Sequence, residues 1–129
     1  MDYQRDEHRV HLVVYHLIWV PKRRRPVLVG RVAKDCERVV REVCAENRWE
    51  VLRLAVMPDH VHLFVRVSPD VAVSEVARRV KGRTSHDLRR DHRQLLRLPS
   101  LWTRSYFCST AGNVSGATID RYIAEQARL

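Results

Sequence analysis

Two histidines separated by one valine, His60 and His62, lie in the run Met57-Pro58-Asp59-His60-Val61-His62-Leu63-Phe64-Val65 and are the side chains best suited to hold a metal ion. The flanking Val51 to Val56 and Leu63 to Val67 are rich in β-branched and apolar residues. That predicts strands, on which residues two apart share a face. Two imidazoles then converge on one spot, and their neutral nitrogens bind ions of the Mg, Mn, Fe or Zn class. The competing reading is a pair of half-buried sheet histidines with no ligand.

Near the C-terminus Ile119, Tyr122, Ile123 and Gln126 have helical spacing, so Tyr122 and Gln126 stand one turn apart on one face. Taken alone, the tyrosine is stripe packing and the glutamine a solvated group. Beside His60 and His62 they gain a chemistry: Gln126 can supply a neutral oxygen ligand and Tyr122 a phenolic nucleophile. A reference pKa of about 10 leaves on the order of a thousandth of a tyrosine as phenolate at neutral pH. A metal that polarises a scissile phosphate would offset that handicap.

Positioning these groups requires a sheet and helices. Val10 to Val20 reads as a first strand, closed by Pro21 and the basic loop Lys22-Arg23-Arg24-Arg25. Val29, Val32, Ala33, Cys36, Val39, Val40, Val43 and Cys44 recur at three and four, which predicts an amphipathic helix with Arg31, Lys34, Arg38 and Arg41 outward. Strands over Glu50 to Val56 and His60 to Val67, joined by a turn at Pro58-Asp59, predict an antiparallel hairpin. A second helix begins near Ser74 with Arg78, Arg79, Lys81 and Arg83 on its outer face, and Gly82 is expected to kink or break it before Thr84 to Arg93 resumes. Leu101 to Ser109 reads as a fourth strand, and Asn113 and Ser115 introduce the last helix. The order βαββαβα predicts an α+β, ferredoxin-like (RRM-like) fold: a four-stranded antiparallel sheet with two helices on one face, plus a C-terminal helix carrying Tyr122. The other sheet face would be open and could carry the histidine pair.

The length of 129 residues predicts a single domain over 1–129. A formal charge of +9, with arginine far outnumbering lysine, predicts a polyanionic partner, nucleic acid above all. The longest apolar run, Leu12 to Val20, is too short to span a bilayer, which argues against a membrane partner. Met1 to Glu7 is charged and lacks a signal-peptide core. Cys36, Cys44 and Cys108 have no metal-binding spacing, so they read as small hydrophobes in a reducing, cytoplasmic setting. Phosphate contact is expected from Lys22, Arg23, Arg24 and Arg25 or from Arg78, Arg79, Lys81 and Arg83. His8, His11, His16, His86 and His92 have no spacing that joins them to the pair, and Trp102 and Tyr106 read as core or edge packing.

Five blocks in order, Tyr15-His16-Leu17-Ile18-Trp19-Val20-Pro21-Lys22, Met57 to Leu63, Lys81-Gly82-Arg83-Thr84-Ser85, Leu101 to Phe107 and Arg121-Tyr122-Ile123-Ala124-Glu125-Gln126, give the chain a resemblance over nearly its whole length. It resembles the single-tyrosine HUH transposases (TnpA-type), which move small insertion sequences as single-stranded DNA. The resemblance implies that His60 and His62 are metal ligands, Gln126 the third ligand and Tyr122 the nucleophile, with Mg or Mn as cofactor. It implies an enzyme that cleaves and rejoins single-stranded DNA with hairpin ends through a 5′-phosphotyrosine link, and a homodimer in which the tyrosine helix can complete the partner's site. No small-molecule substrate is implied. Two rival readings remain: a related HUH nuclease acting at repeats or origins, and a non-catalytic ferredoxin-like nucleic-acid-binding module.

Overall fold

In the computed structural model, residues 12–110 and 116–126 are described. Strand β1 (Val13–Trp19) leads through a short 3-10 turn at Lys22–Arg24 to helix α1 (Gly30–Glu46). The hairpin β2 (Glu50–Met57) and β3 (His60–Val67) is followed by α2 (Val73–Asp91), β4 (Phe107–Thr110) and α3 (Gly116–Glu125). The sheet order is β2-β3-β1-β4, and each pairing is antiparallel. This is the expected ferredoxin-like arrangement.

The alternation of β3 sets which face does what. Val61, Leu63, Val65 and Val67 are fully buried and join the α1 stripe (Val32, Cys36, Val39, Val40, Val43, Cys44) and the α2 stripe (Val76, Ala77, Val80, Leu88) in one core. His60, His62, Phe64 and Arg66 therefore lie on the opposite face. On β1, Leu17 and Trp19 belong to the core, whereas Ile18 and Val20 form a second apolar cluster with Ile123 of α3. The face expected to be open is thus partly covered by α3, because Ile18 and Val20 would otherwise leave apolar surface in water.

Three expectations need correction. Gly82 neither kinks nor breaks α2, which runs unbroken from Val73 to Asp91; a single glycine costs only about 1 kcal/mol in a helix, less than the packing on either side supplies. The run Leu101 to Ser109 is not one strand. Leu101 to Thr103 continue the edge of β1, with Thr103 N–H donating to Val20 O at 3.0 Å and Lys22 N–H to Leu101 O at 2.8 Å, and β4 starts only at Phe107. Between them the carbonyls of Thr103, Arg104 and Ser105 all accept from Lys81 Nζ, at 2.8, 3.2 and 3.1 Å. Consecutive carbonyls of an extended strand point to opposite sides, so three on one ammonium require a loop. It follows that Lys81 is not on the outer face of α2 but turned inward, its ammonium over the Tyr106 ring at 5.9 Å from the centroid.

Trp102 closes this part of the core as expected. Its indole N–H donates to Thr84 Oγ1 at 2.9 Å, and its ring packs edge-on against Trp19 at 6.0 Å. Residues His8, His11, Asn113 and Ser115 lie outside the described residues.

A Cβ built on Gly82 meets nothing within 4 Å, and α2 is helical on both sides. Replacing Gly82 with alanine should therefore stabilise the fold by about 0.5–1 kcal/mol, seen as a higher urea midpoint at unchanged slope.

Candidate functional site

Register brings a third imidazole to the histidine pair. His62 lies opposite Ile18 on β1 and His16 lies opposite Phe64 on β3, so His16 and His62 are diagonal neighbours on one face. The His16 Nε2 to His62 Nδ1 distance is 3.3 Å, and His16 stacks on the Phe64 ring at 3.9 Å between centroids. His16 is a buried, hydrogen-bonded sheet histidine, and it joins the pair although spacing along the chain gives no sign of it. The reason is the β1–β3 register, which spacing along the chain does not contain. His86 and His92 do stand apart, against Asp87 and Asp35.

His60 and His62 have ring centroids 4.9 Å apart, nearly perpendicular. Each has its Nδ1 engaged. His60 Nδ1 donates to Asp59 Oδ1 at 2.7 Å, since a carboxylate only accepts, and this leaves the lone pair on Nε2. Asp59 is in turn held by Arg24, whose Nε donates to Oδ2 at 2.6 Å. Burial raises the Asp59 carboxyl, but the hydrogen bonds from His60 and Arg24, with the Arg24 charge, outweigh it and leave it below its usual value. When His62 Nδ1 donates to His16, its Nε2 is likewise a free donor atom for a cation. Outer partners of this kind fix the ring tautomer and orientation of metal-binding histidines, so the pair fits a divalent ion.

A β-bulge adds a charge to this face. Val51 pairs with Val65 and Arg53 with Phe64, so Leu52 is passed over. Without the extra residue Arg53 would fall on the core face; with it, Arg53 lies opposite Phe64 and acts electrostatically on both His16 and His62. Burial first, then the charges of His60, His16 and Arg53, opposed by Asp120 of α3, push His62 down to about 4. His62 is neutral near pH 7, as a ligand must be.

Tyr122 and Gln126 are brought together as their spacing predicts, and by a residue no spacing pointed to. Ser105 Oγ lies 3.0 Å from the Tyr122 hydroxyl and donates to Gln126 Oε1 at 3.0 Å. Tyr122 packs against Phe107 at 5.8 Å between rings, and Gln126 is buried. Burial raises the Tyr122 pKa, while hydrogen bonds with Ser105 and Thr103 work against the rise. The phenol is therefore not activated by its surroundings in this state. Asp120, two residues before Tyr122, acts electrostatically on His62, while the side chains of α3 pack on Ile18, Val20 and Phe107. Among the described residues, no group of three or more His, Cys, Asp or Glu side chains could hold a metal ion. A third protein ligand from these residues must be of another type.

The basic clusters divide by partner. Arg24 is tied to Asp59, Lys81 to the carbonyls of Thr103 to Ser105, and Arg83 to Glu46. Lys22, Arg23 and Arg25 line a cavity of about 270 Å³ with Arg97, and Arg78 and Arg79 are exposed beside Glu75. Among the described residues, no helix is long and apolar enough to cross a membrane.

Comparison with known proteins gives a consistent answer. The family described as "Transposase IS200 like" matches residues 9–126. The ISDra2 transposase TnpA of Deinococcus radiodurans is 37% identical over 120 residues, covering 91% of this chain and 86% of that protein. The transposase for insertion sequence element IS200 of Salmonella typhimurium is 28% identical over 115 residues, covering 87% of this chain and 75% of that one. A crystal structure from Deinococcus radiodurans R1, described as a transposase, superimposes with a TM-score of 0.87 at 31% identity, over 95% of this chain and 97% of its own. A REP-associated tyrosine transposase bound to a REP hairpin shares the fold, with a TM-score of 0.61 at 15% identity over 92% of this chain and 68% of that one.

The histidine face also sets a pH dependence. In the unfolded chain His16 and His62 take up protons near pH 6.5, whereas the folded chain resists, His62 down to about 4. Between these values the unfolded state binds more protons, so stability is lost as pH falls. Urea midpoints of metal-free protein should decline from pH 6.5 towards 4, and His62→Gln should flatten that decline.

Proposed function

The chain belongs to the IS200-like transposase family, and from that membership we propose that it cleaves and rejoins single-stranded DNA through Tyr122, with Mg or Mn held by His60, His62 and Gln126. As a member it is a transposase, an enzyme of DNA cleavage and strand transfer. The observation that carries the finer reading is one shared face: the helix bearing Tyr122 rests through Ile123 on Ile18 and Val20, and Ile18 is the cross-strand neighbour of His62.

In the proposed reaction Tyr122 Oη attacks a backbone phosphorus, and the bond from phosphorus to the 3′ oxygen breaks. The 3′ end leaves as a hydroxyl, taking up a proton to balance the one the phenol gives up. The 5′ side stays linked to Tyr122 as a phosphotyrosine. A second 3′-hydroxyl reverses these steps and restores the phenol. The divalent ion, when bound, supplies positive charge to the phosphate oxygens. Asp59 and, when His62 Nδ1 is the donor, His16 would leave Nε2 of His60 and His62 free to hold the ion.

Lys22, Arg23, Arg25, Arg78 and Arg79 are the proposed phosphate contacts: Arg78 and Arg79 share the single carboxylate of Glu75 and stay exposed, whereas Arg24, Lys81 and Arg83 are each tied to a partner from another element. The proposed substrate is single-stranded DNA with hairpin ends. A related nuclease acting at repeats or origins would share this chemistry; a non-catalytic module would not.

A covalent-adduct assay tests the reading. Wild-type protein should leave a protein-DNA band that survives denaturation, and Tyr122→Phe should leave none while still binding DNA. His60→Ala or His62→Ala should slow metal-dependent cleavage by about 100-fold or more, and Gln126→Ala by about tenfold, a neutral amide being the weakest of the three donors. Cleavage by wild type that persists in a chelator would refute the metal.

We further propose a homodimer in which α3 of one copy can take the seat on Ile18 and Val20 of the other. Alone, Tyr122→Phe should not cleave and His60→Ala should cleave at no more than about a hundredth of the wild-type rate. Mixed and allowed to exchange, they form heterodimers holding one complete set, and about a quarter of wild-type cleavage should return. A monomer by light scattering, or a mixture that stays inactive, would refute the shared site.

A further inference from the structure

We propose that Ser105 is a positioning residue for strand cleavage: it docks the nucleophile helix by holding Tyr122 and Gln126 as a pair, and Lys81 sets it in place for this. The proposal rests on the reading of Tyr122 and Gln126 given above. Its basis is the break in the predicted fourth strand. A continuous strand from Leu101 to Ser109 would have carried residue 105 along the sheet edge. Instead the three protons of the Lys81 ammonium go to three consecutive carbonyls, Thr103, Arg104 and Ser105, and the chain loops out. Thr103 Oγ1 closes the same loop on Ser105 O at 3.3 Å.

At the crest of that loop one hydroxyl serves two residues a helical turn apart. A serine has a single proton. Ser105 donates it to Gln126 Oε1, so the Tyr122 phenol must be the donor in the contact between Tyr122 and Ser105. The order is Tyr122 O–H to Ser105 O–H to Gln126 Oε1. Both functional groups of α3 are thus held by Ser105, with Thr103 of the same loop also hydrogen-bonded to Tyr122, on a loop that α2 anchors. The apolar support is small, Ile123 on Ile18 and Val20 with Tyr122 on Phe107. The amide oxygen that would ligate a cation meanwhile accepts from a neutral donor, which a bound cation would replace.

The test uses full-length protein and two readouts. Without metal or DNA, amide hydrogen exchange in residues 116–126 should be several-fold faster in Ser105→Ala than in wild type, and should return to within about twofold in Ser105→Thr, which restores the hydroxyl. With Mn and a single-stranded oligonucleotide bearing the cleavage site, single-turnover adduct formation should slow about tenfold in Ser105→Ala, with DNA affinity unchanged and threonine again rescuing. Tenfold is the change expected for one ordinary hydrogen bond. Exchange in α3 that is the same in Ser105→Ala and wild type overturns the proposal, as does unslowed adduct formation or failure of threonine to rescue. If wild type itself forms no adduct, the reading of Tyr122 fails, and the exchange comparison still decides whether Ser105 docks α3.

Discussion

Strand β3 admits only one placement of its side chains, and the site depends on it. Its period of two sends Val61, Leu63, Val65 and Val67 into the core and His60, His62, Phe64 and Arg66 to the other face. A slip of one residue would bury both imidazoles among valines and expose four apolar side chains, each worth about 1.5–3 kcal/mol of burial. The hydrophobic core therefore holds the histidines in register. Their placement on the strand is a by-product of the force that folds the domain, and hydrogen bonds are left only to orient the rings.

Around that rigid strand the orienting contacts come from different parts of the chain. Asp59 reaches His60 from the hairpin turn, with Arg24 behind it from the basic turn after β1, and His16 reaches His62 from β1. Both Arg23 and Arg24 have positive φ, 58° and 55°, a costly conformation for non-glycine residues. Part of the basic run is thus shaped to serve the carboxylate beside His60. The same economy appears at Lys81, whose ammonium burial pushes down to about 8 while three carbonyls supply the negative field that suits its charge.

The α3 half is built differently. Tyr122 and Gln126 are carried by a short helix whose apolar contact with the sheet centres on Ile123, so polar ties through Ser105 weigh more in its position than they would in the core. The histidine half can be held by burial because it is part of the sheet; α3 packs on the sheet through few apolar side chains and is held by a few hydrogen bonds. This division would suit the proposed role of α3 in carrying the nucleophile to DNA ends.

The sequence by itself determined the element order, the antiparallel hairpin, the core stripes of α1 and α2 apart from Val29, which precedes α1 and is exposed, the same-face placement of His60 with His62, and the pairing of Tyr122 with Gln126. All of these follow from local period, 2 in strands and 3.6 in helices, which neighbouring residues impose on one another. Only the tertiary structure decided the rest. His16 joins His62 because of the β1–β3 register, Arg53 reaches the same face because of a bulge, and Ser105 comes under α3 because Lys81, 24 residues earlier, gathers its carbonyl with two others. Gly82 reads as a break yet stays helical because packing on both sides outweighs its intrinsic cost. Charge count likewise showed that the surface is basic, but which arginines and lysines are free and which are bound within the chain depends on partners distant in sequence, such as Glu46 for Arg83 and Asp59 for Arg24. Local periodicity is written in adjacent residues, whereas contacts between remote ones exist only once the chain has closed on itself.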